Sequence, residues 1–244
     1  MNNKLVKPHL ITASACDNTN HMSVQSIFTL FMDLAAEHGA ELGLGMYDLA
    51  EKGLIWLTTK TKIRIHKRPR MLDTVTATTW PEVPDKIRCN RYYKLTDGDR
   101  ILAEGKTEWA MYELATGRLY RIADAYPNDL EHWPEIVCAE PFSRPKDDFA
   151  SCGEIATHIV HSTDIDVSQH MNNVAYVRVM LSAFSCKELE QMNISEAEVF
   201  FRAQCYEGEK LSLRIKQRET GFEIGILKED GKTAAIGIFT CGRN

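Results

Sequence analysis

Hydrophobic positions follow helical and strand spacing in two similar rounds along the chain. Apolar residues recur at helical spacing from Val24 to Ala35 and again from Val174 to Phe184, and each stretch precedes four segments with strand-like alternation. These predicted strands cover 55–65, 73–80, 87–95 and 101–112 in the first half, and 199–206, 210–218, 222–228 and 233–241 in the second. Asp-Gly and Thr-Gly pairs between them predict tight turns. Apolar residues on the flanks of both helices predict burial on nearly all sides.

An internal repeat links the two rounds. Residues 17–23 read DNTNHMS and residues 166–172 read DVSQHMN, 149 positions further on. Each half then reads as a short strand, one buried helix and an antiparallel meander. A sheet wrapped around one helix is the hotdog architecture, so the predicted fold class is α+β, a double hotdog; the alternative for each half is another α+β fold. Half of the prolines lie within 127–145, which predicts a linker at 127–150 between domains 1–126 and 151–244.

Composition and charge exclude several classes of protein. The chain has 244 residues, of which 44% are hydrophobic and 26% charged, and its mean hydropathy is −0.29. These values are typical of a globular protein and not of a disordered one. A net charge of −5 and a pI near 5.9 speak against nucleic acid and membrane surfaces as partners. The first residues lack a secretory signal and no apolar run is long enough to span a bilayer, so we expect no membrane insertion.

The cysteines and histidines indicate neither a disulfide framework nor a metal site. The seven cysteines form an odd count without C-x-x-C spacing, which is typical of reduced thiols in the cytoplasm. His158 and His161 lie on a predicted strand, where an offset of three residues places side chains on opposite faces. We therefore expect no bound metal.

The strongest candidate for chemistry precedes the second helix. The first turn of a helix has unpaired N–H groups and a dipole that favours negative charge, so it can stabilise the oxyanion of an acyl transfer. Asp166 is the candidate general base or nucleophile, and His170 lies within reach to orient it or a water molecule. Asn172 and Asn173 mark the helix N-terminus. The alternative is that these polar residues only cap the helix.

The sequence HMNNVAY at 170–176, preceded by Asp166, resembles the D-x-N-x-H-V-N-N-x-x-Y signature of the acyl-ACP thioesterases of plants and bacteria. GLIWLTT at 53–59, the strand at 73–80 and FRAQC at 201–205 resemble further segments of that family. The resemblance implies a double hotdog that hydrolyses the thioester between a fatty acyl chain and acyl carrier protein (ACP). The C-terminal half would be catalytic and the N-terminal half would hold much of the acyl tunnel. No cofactor is implied, because phosphopantetheine arrives on the carrier. Since no transit peptide precedes the domain, we expect a bacterial enzyme.

Residue by residue, the resemblance assigns catalytic roles with two departures. Asp166 and His170 match the catalytic aspartate and histidine of the family. Ser168 stands where the family usually has asparagine, and Gln204 where plant members have a glutamate proposed to activate water. Because glutamine cannot accept a proton as glutamate does, we expect Asp166 to be the base and Gln204 to position the water.

Two further sites of possible chemistry have more ordinary interpretations. Cys205 matches a cysteine once considered a nucleophile in the family, but a free cysteine is usually a small buried hydrophobe. Asp17 and His21 repeat the motif in the first half, where Ser23 and Val24 replace the Asn-Asn pair. For this first copy we favour a cap or a contact at the tunnel end over a second active site.

A basic stretch and an apolar helix face complete the candidate substrate contacts. Residues 52–72 contain seven Lys or Arg and no acidic residue, which favours docking of an acidic carrier protein. The alternative is a solvated strand face. The docking candidates are Lys60, Lys62, Arg64, Lys67, Arg68 and Arg70. The candidates for the acyl tunnel are Ile27, Phe28, Phe31 and Trp56, with Met46 as a second residue at the tunnel end.

Other functions remain open from the sequence. An acyl-CoA thioesterase of the hotdog fold would use the basic stretch to hold nucleotide phosphates, whereas a dehydratase of this fold normally places its histidine and acid differently. A non-catalytic acyl-binding protein is the alternative from another class, and the departures at Ser168 and Gln204 support it. Pairing of sheet edges would give a homodimer. Chain-length preference, and direct water attack against a covalent Asp166 intermediate, stay undecided.

Overall fold

The computed structural model describes residues 3–84, 87–127 and 129–242. The chain divides into two compact units, Met1–Glu140 and Pro141–Asn244. The boundary between the units lies inside the proline-rich segment 127–150, which separates the two rounds of helix and strands.

The first unit is one antiparallel sheet with a long helix. Its elements are β1 (Leu5–Leu10), α1 (Val24–Glu41), α2 (Met46–Ala50), β2 (Leu54–Ile65), β3 (Thr74–Pro81), β4 (Arg88–Asp97), β5 (Arg100–Glu113) and β6 (Arg118–Tyr120). The strand order is β1-β3-β4-β5-β2, and β6 pairs with β5. Gly98 and Gly117 adopt φ of 58° and 67° after Asp97 and Thr116, as the predicted turns require.

Helix α1 packs against the sheet of this unit. The Phe31 ring stacks on Tyr93 of β4, with ring centroids 4.8 Å apart. Gly105 of β5 allows this approach, because a Cβ there would lie 2.9 Å from Phe31. Burial on nearly all sides was predicted for the helix, but this is wrong for its C-terminal half, where Asp33 and Glu37 are exposed. In the C-terminal half of α1, only the face that packs against the protein interior is buried.

The second unit repeats the arrangement with a shorter helix. Its elements are β7 (Glu154–Ile159), α3 (Asn173–Ser182), α4 (Cys186–Met192), β8 (Ile194–Phe201), β9 (Lys210–Arg218), β10 (Gly221–Lys228) and β11 (Thr233–Cys241). The antiparallel order is β8-β11-β10-β9-β7. A Cβ on Gly237 of β11 would lie 2.5 Å from the sulfur of Met180, so the glycine lets α3 approach the sheet closely. Burial of α3 is nearly complete as predicted, except at Arg178 and at its C-terminal residue.

One strand prediction is wrong. The strand predicted at 199–206 is β8, which begins at Ile194 and ends at Phe201, so that residues 202–206 form a loop. The charged residues Glu196 and Glu198 interrupt the hydrophobic pattern at the start of the strand, so the pattern does not predict it there. Glu198 is nevertheless buried, because its two carboxylate oxygens accept from the N–H and the hydroxyl of Ser143 at 2.9 and 2.8 Å.

None of the helices among the described residues combines the length and the hydropathy that a membrane-spanning segment requires.

Candidate active site

The repeated motif folds into the same tight loop in both units. In the second copy the N–H of Asp166 donates to the carbonyl of His170 at 3.2 Å, and the N–H of Gln169 donates to the carbonyl of Asp166 at 3.0 Å. The first copy repeats these two bonds at 2.9 and 3.0 Å. Gln169 has φ of 64° and Asn20 of the first copy has 63°, so one left-handed residue closes each loop. The repeat in sequence is therefore a repeat in backbone conformation.

Asp166 is half-buried, and its carboxylate is oriented by its own loop. The Oδ1 atom accepts from the N–H of Ser168 at 2.8 Å and also from the Ser168 hydroxyl. Within the described residues, Oδ2 has no hydrogen-bond partner. Ser168, which departs from the family's asparagine, thus orients one oxygen and leaves the other available to accept a proton.

Among the described residues, the side chains of Asp166 and His170 make no hydrogen bond to each other. His170 is half-buried and its Nδ1 lies 3.4 Å from the carbonyl of Met171, its neighbour in the chain. Among the residues that the structure describes, neither ring nitrogen bonds to Asp166. The sequence suggested that His170 orients Asp166 directly, and this contact is absent from the described part of the chain. In that same part, Nε2 of His170 has no protein partner.

Asn172 and Asn173 have different roles at the N-terminus of α3. Asn172 is the N-cap, and its side chain accepts from the N–H of Val174 at 2.8 Å. Its carbonyl accepts from the N–H of Ala175 at 2.9 Å. The N–H of Asn173 has no acceptor among the described residues, so it is the first-turn donor that remains available to an anion. Capping, the alternative kept open from the sequence, is what the Asn172 side chain does.

A buried carboxylate beside the motif escaped the sequence analysis. Asp164 is 2% exposed, and its carboxylate bonds to His158 Nε2 at 2.7 Å, to the N–H of His161 at 2.9 Å and to Arg178 of α3. The carbonyl of Asp164 accepts from the N–H of Asn172 at 2.8 Å. Burial alone would raise the pKa of Asp164, but the bonds from His161 and His158 and the charge of Arg178 outweigh it and lower the pKa. Asp164 thereby fastens β7, α3 and the start of the motif to one another.

The expectation that His158 and His161 lie on opposite faces of a strand is wrong. Strand β7 ends at Ile159, so His161 lies beyond it in a different backbone conformation. The two rings meet edge to face with centroids 5.6 Å apart. The signal that could have identified Asp164 is its place two residues before Asp166. Ala15 stands at the corresponding position of the first copy, so the internal repeat does not mark Asp164 as a functional residue.

Gln204 and Cys205 lie in the loop that follows β8. The exposed Gln204 accepts at Oε1 from the Tyr206 hydroxyl at 2.8 Å, and its carbonyl accepts from Lys228 at 2.9 Å. Cys205 is fully buried, and its carbonyl accepts from the N–H of Met171 at 2.8 Å. Burial raises the pKa of the Cys205 thiol, which disfavours the thiolate that a nucleophile needs. The geometry favours the interpretation of Cys205 as a buried hydrophobe.

The first copy of the motif has a neutralised carboxylate. Arg68 pairs with Asp17 and also donates to the Thr19 hydroxyl at 3.2 Å. Burial raises the pKa of Asp17, but the hydrogen bonds from Thr19 and Arg68 outweigh it and lower the pKa. The Nδ1 of His21 lies 2.8 Å from the carbonyl of Thr19, so this ring folds into its own loop. These contacts favour a structural role for the first copy.

Most of the basic stretch is paired or buried. Lys60 lies 3.0 Å from Glu108 and Arg64 lies 3.3 Å from Glu104, both across the strand pair β2–β5. Lys62 is 5% exposed, and Arg68 is engaged by Asp17. Lys67 and Arg70 are the two docking candidates that are exposed. The charge of residues 52–72 taken from the sequence overstates the free positive charge, because glutamates of the neighbouring strand β5 pair with lysine and arginine of this stretch.

The tunnel candidates lie in the first unit. The structure buries Ile27, Phe28 and Phe31 on α1. Trp56 is half-buried and donates from Nε1 to the carbonyl of Leu44 at 2.9 Å, whereas Met46 is 44% exposed. Burial is what a tunnel lining and a packed core share, so the tunnel roles stay predictions.

Within the described residues no three His, Cys, Asp or Glu side chains are grouped so as to hold a metal ion. The expectation that the protein works without a metal stays a prediction.

Known proteins match both halves of the chain. Residues 3–130 match the family model of the acyl-ACP thioesterase N-terminal domain, and residues 151–238 match that of the C-terminal domain. A chloroplastic acyl-[acyl-carrier-protein] hydrolase of Cuphea viscosissima is 25% identical over 197 residues, which are 75% of this chain and 47% of the relative. The chain thus spans about half the length of the curated relatives it matches.

Solved structures show the fold. An acyl-ACP thioesterase from Bacteroides thetaiotaomicron superimposes with a TM-score of 0.86 at 20% identity and covers 98% of both chains. The 12:0-ACP thioesterase from Umbellularia californica gives a TM-score of 0.80 at 15% identity, over 99% of this chain and 98% of that one. The predicted double hotdog is confirmed.

Proposed function

Because the chain belongs to the acyl-ACP thioesterase family, we propose that it hydrolyses the thioester between a fatty acyl chain and ACP, releasing the free fatty acid and holo-ACP. Both domain models of the family match in chain order. The observation that carries the proposal is the Asp166 carboxylate, which Ser168 orients at one oxygen and leaves open at the other. The unpaired N–H of Asn173 supports the same reaction, because acyl transfer needs a donor for an oxyanion.

In the proposed reaction Asp166 acts as the general base. Its Oδ2 takes a proton from water, and the water oxygen attacks the thioester carbonyl carbon. The resulting oxyanion accepts from the N–H of Asn173. When the intermediate collapses, the carbon–sulfur bond breaks and the phosphopantetheine thiolate leaves and takes up the proton, with help from His170. In the covalent alternative a carboxylate oxygen of Asp166 attacks the carbonyl carbon first, the carbon–sulfur bond breaks and the thiolate leaves, which gives an anhydride. Water then hydrolyses the anhydride, and the thiolate takes up a proton from that water.

ACP is the proposed carrier of the substrate. The Cuphea relative is named as a hydrolase of acyl-[acyl-carrier-protein], which supports this assignment by family membership. Acyl carrier proteins are acidic, and the exposed Lys67 and Arg70 are suited to attract them. No cofactor is proposed beyond the phosphopantetheine of the carrier, and a homodimer is kept as an expectation. All seven cysteines are free thiols, which supports a reducing compartment such as the cytoplasm.

Release of fatty acid from acyl-ACPs of graded chain length, measured beside the matching acyl-CoAs, tests the function. We expect faster release from the ACP series and a loss of about 10²-fold or more in Asp166→Asn, because general base catalysis contributes at least that much. Asp17→Asn is the matched control, since it makes the same change in the first copy of the motif, and we expect it to retain turnover. Faster release from the acyl-CoAs would assign the enzyme to the rival class. No release from either, with acyl chains bound, would indicate a binding protein.

A single turnover in ¹⁸O-labelled water tests the covalent route. Label in the carboxylate of Asp166 appears only when an anhydride forms and water attacks its aspartyl carbonyl. Label confined to the released fatty acid is the result of direct attack by water or of attack at the fatty acyl carbonyl of the anhydride.

A further inference from the structure

The described part of the first unit contains a buried cation that has no carboxylate paired with it. Arg91 of β4 is 7% exposed, and its guanidinium lies 2.9 Å from Nδ1 of His38 and 3.4 Å from the Thr79 hydroxyl. A guanidinium only donates, so His38 Nδ1 accepts and the imidazole is neutral. Among the residues that the structure describes, no carboxylate pairs with Arg91. A buried charge with only neutral partners is costly, and an anion would offset that cost.

Three further buried polar atoms in the described part of the first unit make no hydrogen bond of ordinary geometry. They are the hydroxyl of Tyr93, the indole Nε1 of Trp109 and the hydroxyl of Thr58. In the strand register Trp109 is opposite Thr58 on one side and Cys89 on the other. Residues 89, 91 and 93 alternate onto the same face of β4, so Arg91, Tyr93, Trp109 and Thr58 share one face of the sheet. Burial raises the pKa of Tyr93 more than the charge of Arg91 and loose contacts from Thr107 and Trp109 lower it. The Tyr93 hydroxyl therefore keeps its proton and can donate.

All four groups share one chemistry, because each can donate a hydrogen bond. Native proteins pair most buried polar atoms, and an orphaned donor is uncommon. An ionised carboxylate is acceptor-only and offers about four lone-pair directions, enough for a guanidinium and neighbouring N–H and O–H donors. Phe31 stacks on Tyr93, and Phe28 and Leu34 of the same helix are buried, so the surroundings are apolar. An aliphatic chain that ends in a carboxylate fits both features.

We propose that the first unit contains a binding site for the carboxylate of an aliphatic chain, in which Arg91 binds the anion and Tyr93, Trp109 and Thr58 donate to it. The site itself does not depend on the proposed thioesterase function; only the source of its ligand does. That source is either a free fatty acid or a carboxylate at the far end of the acyl chain of a thioester substrate. Both present the same group to the same donors.

Equilibrium binding to the intact protein tests the site. Dodecanoate and dodecanol have the same aliphatic chain, so the difference between their dissociation constants measures recognition of the carboxylate. We expect dodecanoate to bind about tenfold more tightly or better, because charge-assisted hydrogen bonds are the strong ones. Arg91→Met should remove this preference. Arg100→Met is the control, because Arg100 is an exposed arginine paired with Asp97 at the turn between β4 and β5. It should keep the preference unchanged.

Tyr93→Phe keeps the proposal testable if Arg91→Met does not fold. This variant removes one buried hydroxyl that makes no hydrogen bond of ordinary geometry among the described residues. The melting temperature of the ligand-free protein should therefore stay or rise while the preference for dodecanoate decreases. Equal binding of the two ligands by the unaltered protein would overturn the proposal. A preference that survives Arg91→Met would also overturn it. So would a Tyr93→Phe variant that melts lower and keeps its preference, as expected if only water occupied the site.

Turnover then identifies the source of the ligand. Hydrolysis of dodecanoyl-ACP is compared with that of the ACP thioester of the same chain carrying a terminal carboxylate. A preference for the second substrate that is lost in Arg91→Met assigns the site to the far end of the acyl chain. A preference for the first, together with binding of dodecanoate that depends on Arg91, assigns it to free fatty acid. If neither thioester is hydrolysed and that binding remains, the proposed function fails and the carboxylate site stands.

Discussion

Arg68 in the first unit and Gln204 in the second occupy corresponding positions beside the two copies of the repeated motif. Each directly precedes the residue whose carbonyl accepts from the motif's methionine N–H at 2.8 Å, Pro69 from Met22 and Cys205 from Met171. Arg68 pairs with the motif aspartate of its unit. Gln204 bonds instead to the Tyr206 hydroxyl, so the second aspartate keeps an unpaired oxygen. A single position therefore distinguishes a neutralised copy of the loop from an open one.

Gln204→Arg should convert the second copy of the motif into the state of the first. A guanidinium beside Asp166 would stabilise the charged carboxylate and weaken it as a base, so turnover of acyl-ACP should fall about tenfold or more. The measurement is kcat with a saturating acyl-ACP. Gln217→Arg adds the same charge at an exposed position of β9 and serves as the control. Unchanged turnover in Gln204→Arg would contradict the role assigned to the open oxygen.

Cys205→Ser should retain turnover within about twofold, because a buried thiol with a raised pKa supplies little thiolate for nucleophilic catalysis. The measurement is kcat beside the melting temperature, so that a loss of folded protein is not mistaken for a loss of chemistry. A fall of about 10³-fold with an unchanged melting temperature would instead identify Cys205 as the nucleophile.

Asp164 should contribute a component of stability that depends on pH. Its pKa is lowered in the folded protein relative to the value of about 3.9 expected for an unfolded chain. A carboxyl with a lowered folded-state pKa stabilises the protein fully above the unfolded value, and this contribution is lost as the pH falls through the folded value. The free energy of unfolding in urea, measured between neutral pH and pH 3, should therefore decrease below about pH 4.

The comparison with Asp164→Asn isolates this component. Other carboxyls with lowered pKa, such as Glu108 and Asp17, contribute to the decrease in both proteins. We expect a shallower decrease in Asp164→Asn, and the same slope as the parent protein in Asp99→Asn, whose side chain lies in the exposed turn between β4 and β5. Parallel curves for the parent and Asp164→Asn would show that the folded protein does not favour the charged form of Asp164.

Gly105→Ala should destabilise the first unit by about 1–3 kcal/mol, the usual cost of overpacking a core. A Cβ there would lie 2.8 Å from the carbonyl oxygen of Lys62, which belongs to the backbone, and 2.9 Å from the Phe31 ring. Gly153→Ala is the matched control, because its Cβ would meet nothing within 4 Å. Its stability should change by about 0.5 kcal/mol or less. Equal melting temperatures for the two variants would show that α1 does not need the glycine to approach β5.

Local features of the site could be predicted from the sequence because they depend on neighbours in the chain. The loop of Asp166, the hydrogen bond from Ser168 and the cap at Asn172 all join residues within four positions of one another. The same holds for strands β9 and β11, whose predicted bounds coincide with the observed ones. Such elements follow from backbone preferences and hydrophobic periodicity, which a single sequence displays.

Contacts between distant residues were decided only by the tertiary structure. Arg68 reaches Asp17 across 51 positions and Arg91 reaches His38 across 53, and neither pairing leaves a pattern in the sequence. The start of β8 was missed because Ser143, far along the chain, makes a buried Glu198 acceptable there. The sequence by itself thus determined the repeated fold and the candidate residues of the motif. The tertiary structure decided which aspartate is neutralised, because the partner of a charge is chosen by distance in space rather than by position in the chain.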